Sequence, residues 1–151
     1  MKIRTILFAG LVAGSLDAAA ACIVALAYGR LPGRVFQYIA SAVLGKSAFA
    51  EGMTTVAVGL AFHYLIALGW AALFFFIFSK INAPSRQRVV IGLLYGVFVW
   101  IMMNLVVVPM SLIGKFPSDW TNILLNMGIL MVCIGLPISL IFFSKEQTDK
   151  P

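Results

Sequence analysis

Four long apolar runs dominate this sequence and leave few alternatives for its fold. They cover roughly residues 5–28, 53–78, 89–108 and 120–143, which is most of the 151-residue chain. A helix needs about 20 apolar residues to cross the hydrocarbon core of a bilayer. Backbone that crosses lipid must also satisfy its own hydrogen bonds, as an α-helix does. The runs therefore predict an all-α protein, an integral membrane four-helix bundle that forms a single transmembrane domain over residues 1–151.

The composition also favours a membrane location. The chain is 62% hydrophobic and 11% charged, whereas soluble domains carry about 25% charged residues. Its net charge of +6 comes from basic residues that stand singly at the ends of the apolar runs and form no patch for nucleic acid. We expect the lipid bilayer to be a partner of the protein and nucleic acid not to be one.

A short additional helix is expected between the first two spans. A run rich in glycine and proline at residues 29–33 ends the first span, and the segment of about 34–45 is helical in pattern but too short to cross a bilayer. Its apolar side carries Val35, Phe36, Ile39, Ala42 and Val43. Its other side carries Arg34, Gln37 and Ser41. We predict a helix that lies in the interface or re-enters the membrane.

Basic residues predict the orientation. With four spans, the N-terminus, the turn at residues 79–88 and the C-terminal tail share one side of the membrane. That side has seven basic residues: Lys2, Arg4, Lys80, Arg86, Arg88, Lys145 and Lys150. The opposite side has four: Arg30, Arg34, Lys46 and Lys115. Because cytoplasmic loops carry an excess of Lys and Arg, we expect both termini in the cytoplasm.

The first span carries a carboxylate, Asp17, in its middle, where a charge is costly. This residue also argues against a cleaved signal peptide, so we expect the segment to remain as a helix. Gly10 and Gly14 lie on the same stripe and form a Gly-x-x-x-Gly pair, which lets another helix approach closely. Gly92 and Gly96 form a second pair in the third span. We predict that these glycines pack helices and that Asp17 faces protein.

Every other span also carries a polar side chain at a similar depth. At 1.5 Å per residue, Asp17 lies about 18 Å from the cytoplasmic end of its span. His63 and Asn104 lie about 22 Å from that side, and Asn126 lies about 25 Å from it. The four residues therefore predict one intramembrane polar layer. Interhelical hydrogen bonds could make this layer structural, or the Asp and His side chains could hold a proton, and the sequence leaves both open.

No metal, cofactor or catalytic site is expected. The chain has one histidine and two cysteines, Cys22 and Cys133, which the threading separates by about 10 Å in depth, so a disulfide is not expected. There is no Cys/His cluster to bind a metal. Only Glu51 and Asp119 provide acids in the loops, without a nucleophile–base pair. We expect the protein not to be an enzyme.

The most distinctive run of the chain, residues 36–49, reads FQYIASAVLGKSAF. Together with LAFH at residues 60–63, and with Met103-Asn104 followed by VPMS at 108–111, it resembles a family of small, uncharacterised bacterial inner-membrane proteins with four spans. The resemblance covers most of the chain and implies a location in the bacterial inner membrane. It implies no activity and no catalytic residues.

Two functions follow from the residues. The first is a non-enzymatic membrane protein that forms a homo-oligomer or supports a partner membrane protein, which the Gly-x-x-x-Gly pairs and short loops favour. The alternative is a small proton-linked transporter or channel that uses the intramembrane Asp, His and Asn layer. A lipid-modifying enzyme is a weaker hypothesis, because the loops hold few candidate catalytic groups.

Overall fold

The structure, a computed structural model, describes residues 2–50, 52–81 and 84–148. Over these ranges every regular element is a helix. Glu51 and Lys150, which the sequence analysis named, lie outside the described residues, as do the side chains of Lys2 and Lys145.

Four helical stretches in the described part of the chain are long and apolar enough to cross a membrane. We call them spans 1 to 4, and they comprise Ile3–Ala27, Met53–Phe78, Arg86–Met110 and Trp120–Ser144. Their ends differ by at most three residues from the predicted ones, so the four spans are confirmed. Length and composition make this an all-α, multi-pass membrane protein.

The helices divide as follows. Helix α1 (Lys2–Ala27) contains span 1, and α3 (Met53–Phe78) is span 2. Between them lie α2 (Gly33–Leu44) and a 3-10 turn (Gly45–Phe49). Span 3 comprises α4 (Ser85–Ile101), a π-helical segment (Met102–Val107) and α5 (Val108–Met110). Span 4 comprises α6 (Trp120–Ile129), a π-helical segment (Leu130–Gly135) and the first part of α7 (Leu136–Thr148).

Both π-helical segments precede a proline, Pro109 in span 3 and Pro137 in span 4. Proline has no N–H and its ring displaces the carbonyl four residues earlier, so a regular α-helical ladder cannot continue through it. In each span the residue before the proline donates its N–H to the carbonyl five positions earlier, which absorbs the disruption. The third apolar run was predicted to end at residue 108, just before Pro109. Span 3 in fact continues one residue beyond its proline, to Met110.

Glycine pairs hold neighbouring spans together inside the chain. A Cβ atom at Gly10 would lie 2.7 Å from Cδ2 of Leu68 in span 2, so only glycine fits there without a shift. Gly14 faces the same span. Gly92 and Gly96 face span 4, and a Cβ atom at Gly96 would collide with the backbone of Met131. The contacts that the two pairs make in this chain are therefore between spans 1 and 2 and between spans 3 and 4.

The spans are arranged around the bundle in the order 2–1–4–3, because span 1 packs on spans 2 and 4, and span 3 packs on span 4. Spans 2 and 3 stand at the two ends of this order and meet through large side chains. The hydroxyl of Tyr95 donates to the carbonyl of Trp70 across this gap at 2.7 Å. The ring of Tyr95 also meets Phe74 edge-on, at 4.8 Å between centroids.

Helix α2 confirms the predicted short helix and covers the end of the bundle away from the termini. Gly59 of span 2 lets the backbone of Phe36 cross it in direct contact. Further along, the carbonyl of Ala42 accepts a hydrogen bond from the backbone N–H of Leu112, just after span 3, at 3.0 Å. Helix α2 thus links spans 2 and 3 at the ends that lie away from the termini.

Two of the three polar residues of α2 face the protein, and the third, Arg34, is exposed. Gln37 and Ser41 are buried, whereas Val43 from the apolar side is 56% exposed. The Nε2 amide of Gln37 donates to the carbonyl of Gly52 at 3.2 Å, and Ser41 donates to the carbonyl of Tyr38 at 2.6 Å. In apolar surroundings a polar group is stabilised where it finds such partners, which explains the inward orientation.

At the end of the bundle that carries the termini, aromatic side chains fill the interior. We call this cluster the aromatic seal, and it consists of Phe74, Phe78, Tyr95, Phe142 and Phe143. Phe74 has no exposed surface and makes a ring contact with each of the other four. The seal leaves the interior of this end densely packed.

Candidate functional site

A chamber of about 390 Å³ lies between spans 2 and 3, at the end away from the aromatic seal. Binding sites for small molecules typically enclose about 300–1,000 Å³ and are mostly apolar. All four spans and α2 contribute to this chamber. Most of its wall is apolar, including Phe62, Ile66, Val99, Met103, Leu130 and Ile134. In size and lining it has the character of a ligand site.

The chamber exists because spans 2 and 3 are joined at one end and separated at the other. Trp70 lies at its inner limit, where it lines the chamber and also contacts Tyr95 of the aromatic seal. Val43 of α2 and Val107 of span 3 line the chamber too, and they are 56% and 41% exposed. Their exposure places an edge of the chamber at the outer surface of the protein, between α2 and span 3.

Asp17 and His63, predicted as polar residues of separate spans, lie together in the wall of this chamber. An oxygen of the Asp17 carboxylate lies 4.0 Å from Nδ1 of His63. The other ring nitrogen, Nε2, is 2.8 Å from the carbonyl oxygen of Gly14. Close packing of span 1 on span 2 at Gly14 therefore brings the two side chains together. Both are mostly buried, with 18% of the Asp17 side chain and 10% of the His63 side chain exposed.

The hydrogen bond to Gly14 limits how protons can be placed on this pair. A carbonyl oxygen only accepts, so Nε2 of His63 carries a hydrogen and donates it. In the neutral ring Nδ1 then holds a lone pair, and Nδ1 is the atom nearest Asp17. A lone pair repels an ionised carboxylate, so one more proton on either group makes the contact favourable. With that proton the pair is neutral overall, and without it the pair carries one negative charge.

Of the two asparagines in the predicted layer, Asn104 lines the chamber and Asn126 does not. Asn104 lies in the π-helical segment of span 3 and lines the chamber with Asp17 and His63. Its amide group donates to the carbonyl of Trp100 at 3.1 Å, which leaves its side-chain oxygen to accept. Asn126 does not line the chamber and donates instead to the backbone of its own helix. The predicted layer is therefore split, because depth along a helix does not determine the direction in which a side chain points.

A second cavity, of about 250 Å³, adjoins the chamber, and we call it the polar cleft. Tyr38, Asn104 and Val108 line both spaces. The other walls of the cleft come from the end of span 3, the loop before span 4, and α6. They include Trp100, Lys115, Phe116, Asp119, Asn122 and Asn126.

Neither the cleft nor the presence of Trp100 in its wall was predicted from the sequence. This indole is 6% exposed, and its Nε1–H is a buried donor without a hydrogen-bond partner among the described residues. Buried indole N–H groups usually find a partner. Lys115 and Asp119 lie in a loop, where no helical periodicity places side chains on a common face. The spacing of polar residues in the sequence is therefore only a weak signal for the cleft.

The two cysteines, Cys22 and Cys133, are free thiols, as predicted. No family model, curated protein or solved structure matches the chain. The site thus consists of an apolar chamber, an Asp–His pair in its wall and a polar cleft beside it.

Proposed function

We propose that the protein is a non-enzymatic, proton-linked transporter that binds a small, largely apolar molecule in the chamber. The observation that carries this proposal is the position of the Asp17–His63 pair in the wall of an apolar cavity of about 390 Å³. The transporter was the alternative function predicted from the sequence. The contacts of the glycine pairs favour it over assembly, since those glycines pack spans within one chain.

The proton link follows from the cost of burying charge. An apolar occupant displaces water from around the pair, and an unpaired charge in such surroundings is strongly disfavoured. The pair is neutral when it holds its exchangeable proton and carries one negative charge when the proton is lost. Binding of an apolar molecule therefore favours retention of the proton. Conversely, loss of the proton as the pH rises weakens binding.

Transport requires the sealed end to open. The chamber reaches the outer surface between α2 and span 3, while the aromatic seal closes the other end. We propose that the protein lies in a bacterial inner membrane with both termini in the cytoplasm, as the basic residues predict. The described chamber then faces the outer half of the membrane, and rearrangement of the seal gives access from the inner half.

Association with a second copy or with a partner membrane protein is a second candidate function. It is favoured by Asn122 and Asn126, which are exposed on α6 although they belong to a span. Polar side chains are costly against lipid. A neighbouring chain would cover them. Cysteine cross-linking in membranes tests this function, with Asn122→Cys expected to form a disulfide-linked dimer if two copies meet there.

The proposed chamber can be tested by fluorescence quenching. Trp100→Phe and Trp120→Phe together leave Trp70, which lines the chamber, as the sole indole. Bromodecane, an uncharged apolar quencher, is titrated into this protein in nanodiscs at several pH values. We expect saturable quenching whose half-saturation concentration rises by up to about tenfold per pH unit once the pair loses its proton. Asp17→Asn should bind the quencher without this rise, because an amide has no proton to lose in this range.

A matched protein that retains only Trp120 controls for partitioning into lipid. Trp120 is 76% exposed and lines neither cavity, so its quenching should be non-saturable and independent of pH. The proposal is wrong if Trp70 is quenched no differently from Trp120. The proton link is wrong if Asp17→Asn keeps the pH dependence of the wild type.

A further inference from the structure

We propose that the chamber and the polar cleft together bind one zwitterionic phospholipid, with an acyl chain in the chamber and the head group in the cleft. This inference rests on the proposed function, because it requires the chamber to take an apolar group. It adds the chemical class of the ligand, which the chamber alone does not specify.

The two cavities adjoin one another and share part of their walls. Tyr38 and Asn104 line both, and each carries a polar tip at the boundary between an apolar space and a polar one. An amphiphile requires this arrangement, in which a chain leaves the polar region directly into an apolar one. The loop that lines the cleft, residues 115–119, lies beyond the ends of spans 3 and 4, where the head groups of a bilayer are found.

The cleft carries side chains of both charges. It is lined by one basic and one acidic side chain, Lys115 and Asp119. No ion pair joins them in the part of the chain that the structure describes. Asp119 begins α6, where it accepts hydrogen bonds from the backbone of Thr121 and the side chain of Asn122. A separated cation and anion match a head group that carries a phosphate and an ammonium, whereas a purely anionic head would meet Asp119 unfavourably.

Neutral polar groups in the wall of the cleft also have hydrogen-bonding capacity that the described residues do not use. The buried Nε1–H of Trp100 can donate to a phosphate or ester oxygen. Asn104 and Asn126 line the cleft, and their side-chain nitrogens both donate to backbone carbonyls, which leaves their side-chain oxygens to accept. Those oxygens suit the N–H groups of an ammonium head. Donors and acceptors are thus both present, as a zwitterion requires.

The test uses three amphiphiles with the same brominated chain and different heads. They are lysophosphatidylethanolamine, which is zwitterionic, lysophosphatidylglycerol, which is anionic, and an uncharged monoacylglycerol. Each is titrated into the Trp120→Phe protein in maltoside micelles, where the two remaining indoles, Trp70 and Trp100, both line the proposed site. We expect the zwitterion to reach half-saturation at a concentration lower by about tenfold or more than the other two, since single hydrogen bonds to charged groups contribute on this scale.

Variants of the cleft identify the source of this preference. Lys115→Gln and Asp119→Asn should each remove it and leave monoacylglycerol binding unchanged, and Asn at position 119 can still cap α6. Lys80→Gln, at the sealed end, is the matched control and should retain the preference. Equal binding of all three heads would overturn the lipid inference and leave the chamber proposal standing. Absence of saturable quenching by any of them would overturn both.

Discussion

The two ends of the bundle are built from the same spans and differ in what fills the space between them. At the end with the termini, the aromatic seal packs around Phe74, which is fully buried. At the other end, spans 2 and 3 separate around a chamber of about 390 Å³, with Asp17 and His63 in its wall. Well-packed side chains gain dispersion energy on all sides, whereas the lining of a cavity loses contacts on one side. We infer that the sealed end contributes most of the stability and that the open end carries the function.

The largest effect is expected at the centre of the seal. Phe74→Ala should lower the free energy of unfolding by about 3–5 kcal/mol, because it removes a fully buried ring and leaves a cavity. The measurement is SDS-driven unfolding in mixed micelles. Phe76→Ala is the matched control, since Phe76 is 82% exposed and its loss should change stability by less than about 0.5 kcal/mol. Equal losses for the two variants would contradict a stabilising seal.

A matched pair of isoleucines compares the two ends directly. Ile138 belongs to the packed core at the sealed end and is 1% exposed, whereas Ile66 lines the chamber. Ile138→Ala should cost about 2–5 kcal/mol. Ile66→Ala should cost about 1 kcal/mol, because it enlarges an existing cavity and breaks fewer contacts. The comparison of the two ends fails if the same unfolding assay gives the larger loss for Ile66→Ala.

An intermediate loss of stability is expected when the attachment of α2 at the open end is weakened. A Cβ atom at Gly59 would collide with the backbone of Phe36, whereas nothing lies within 4 Å of one at Gly69 in the same span. Gly59→Ala should therefore destabilise the protein by about 1–3 kcal/mol through a shift of backbone, and it should speed amide hydrogen exchange in α2. Gly69→Ala should leave both quantities unchanged. Unaltered exchange in α2 for Gly59→Ala would show that this contact does not position the helix.

The smallest effect on stability is expected at the polar pair. Asp17→Asn should change the free energy of unfolding by about 1 kcal/mol or less, since interhelical hydrogen bonds in membranes average about 0.6 kcal/mol. His63 keeps its hydrogen bond to Gly14 in this variant. The same substitution should remove the pH dependence of bromodecane binding. A large loss of stability would show that the pair is structural and would argue against its role in binding.

The spans could be predicted from the sequence because hydropathy along a helix depends on local composition. The contact between Asp17 and His63 was also accessible in part, since the glycine stripe of span 1 indicated that Asp17 faces protein. The chamber could not be predicted from the sequence, because its volume depends on how far spans 2 and 3 separate after all side chains have packed. Asn126 shows the same limit: its depth was predictable, but the rotation of α6 that turns it to the cleft was not.

Mass spectrometry of the intact chain, gently extracted from its membrane, tests the central claim most directly. We expect one lipid to be retained per chain. We expect this lipid to be lost when the Ile66→Trp substitution fills the chamber. We also expect the lipid to remain bound in Leu65→Trp, since Leu65 is 64% exposed and lines neither cavity. A chain that retains no lipid, or the same lipid retained in Ile66→Trp, would contradict the assignment of the open end as a lipid-binding site.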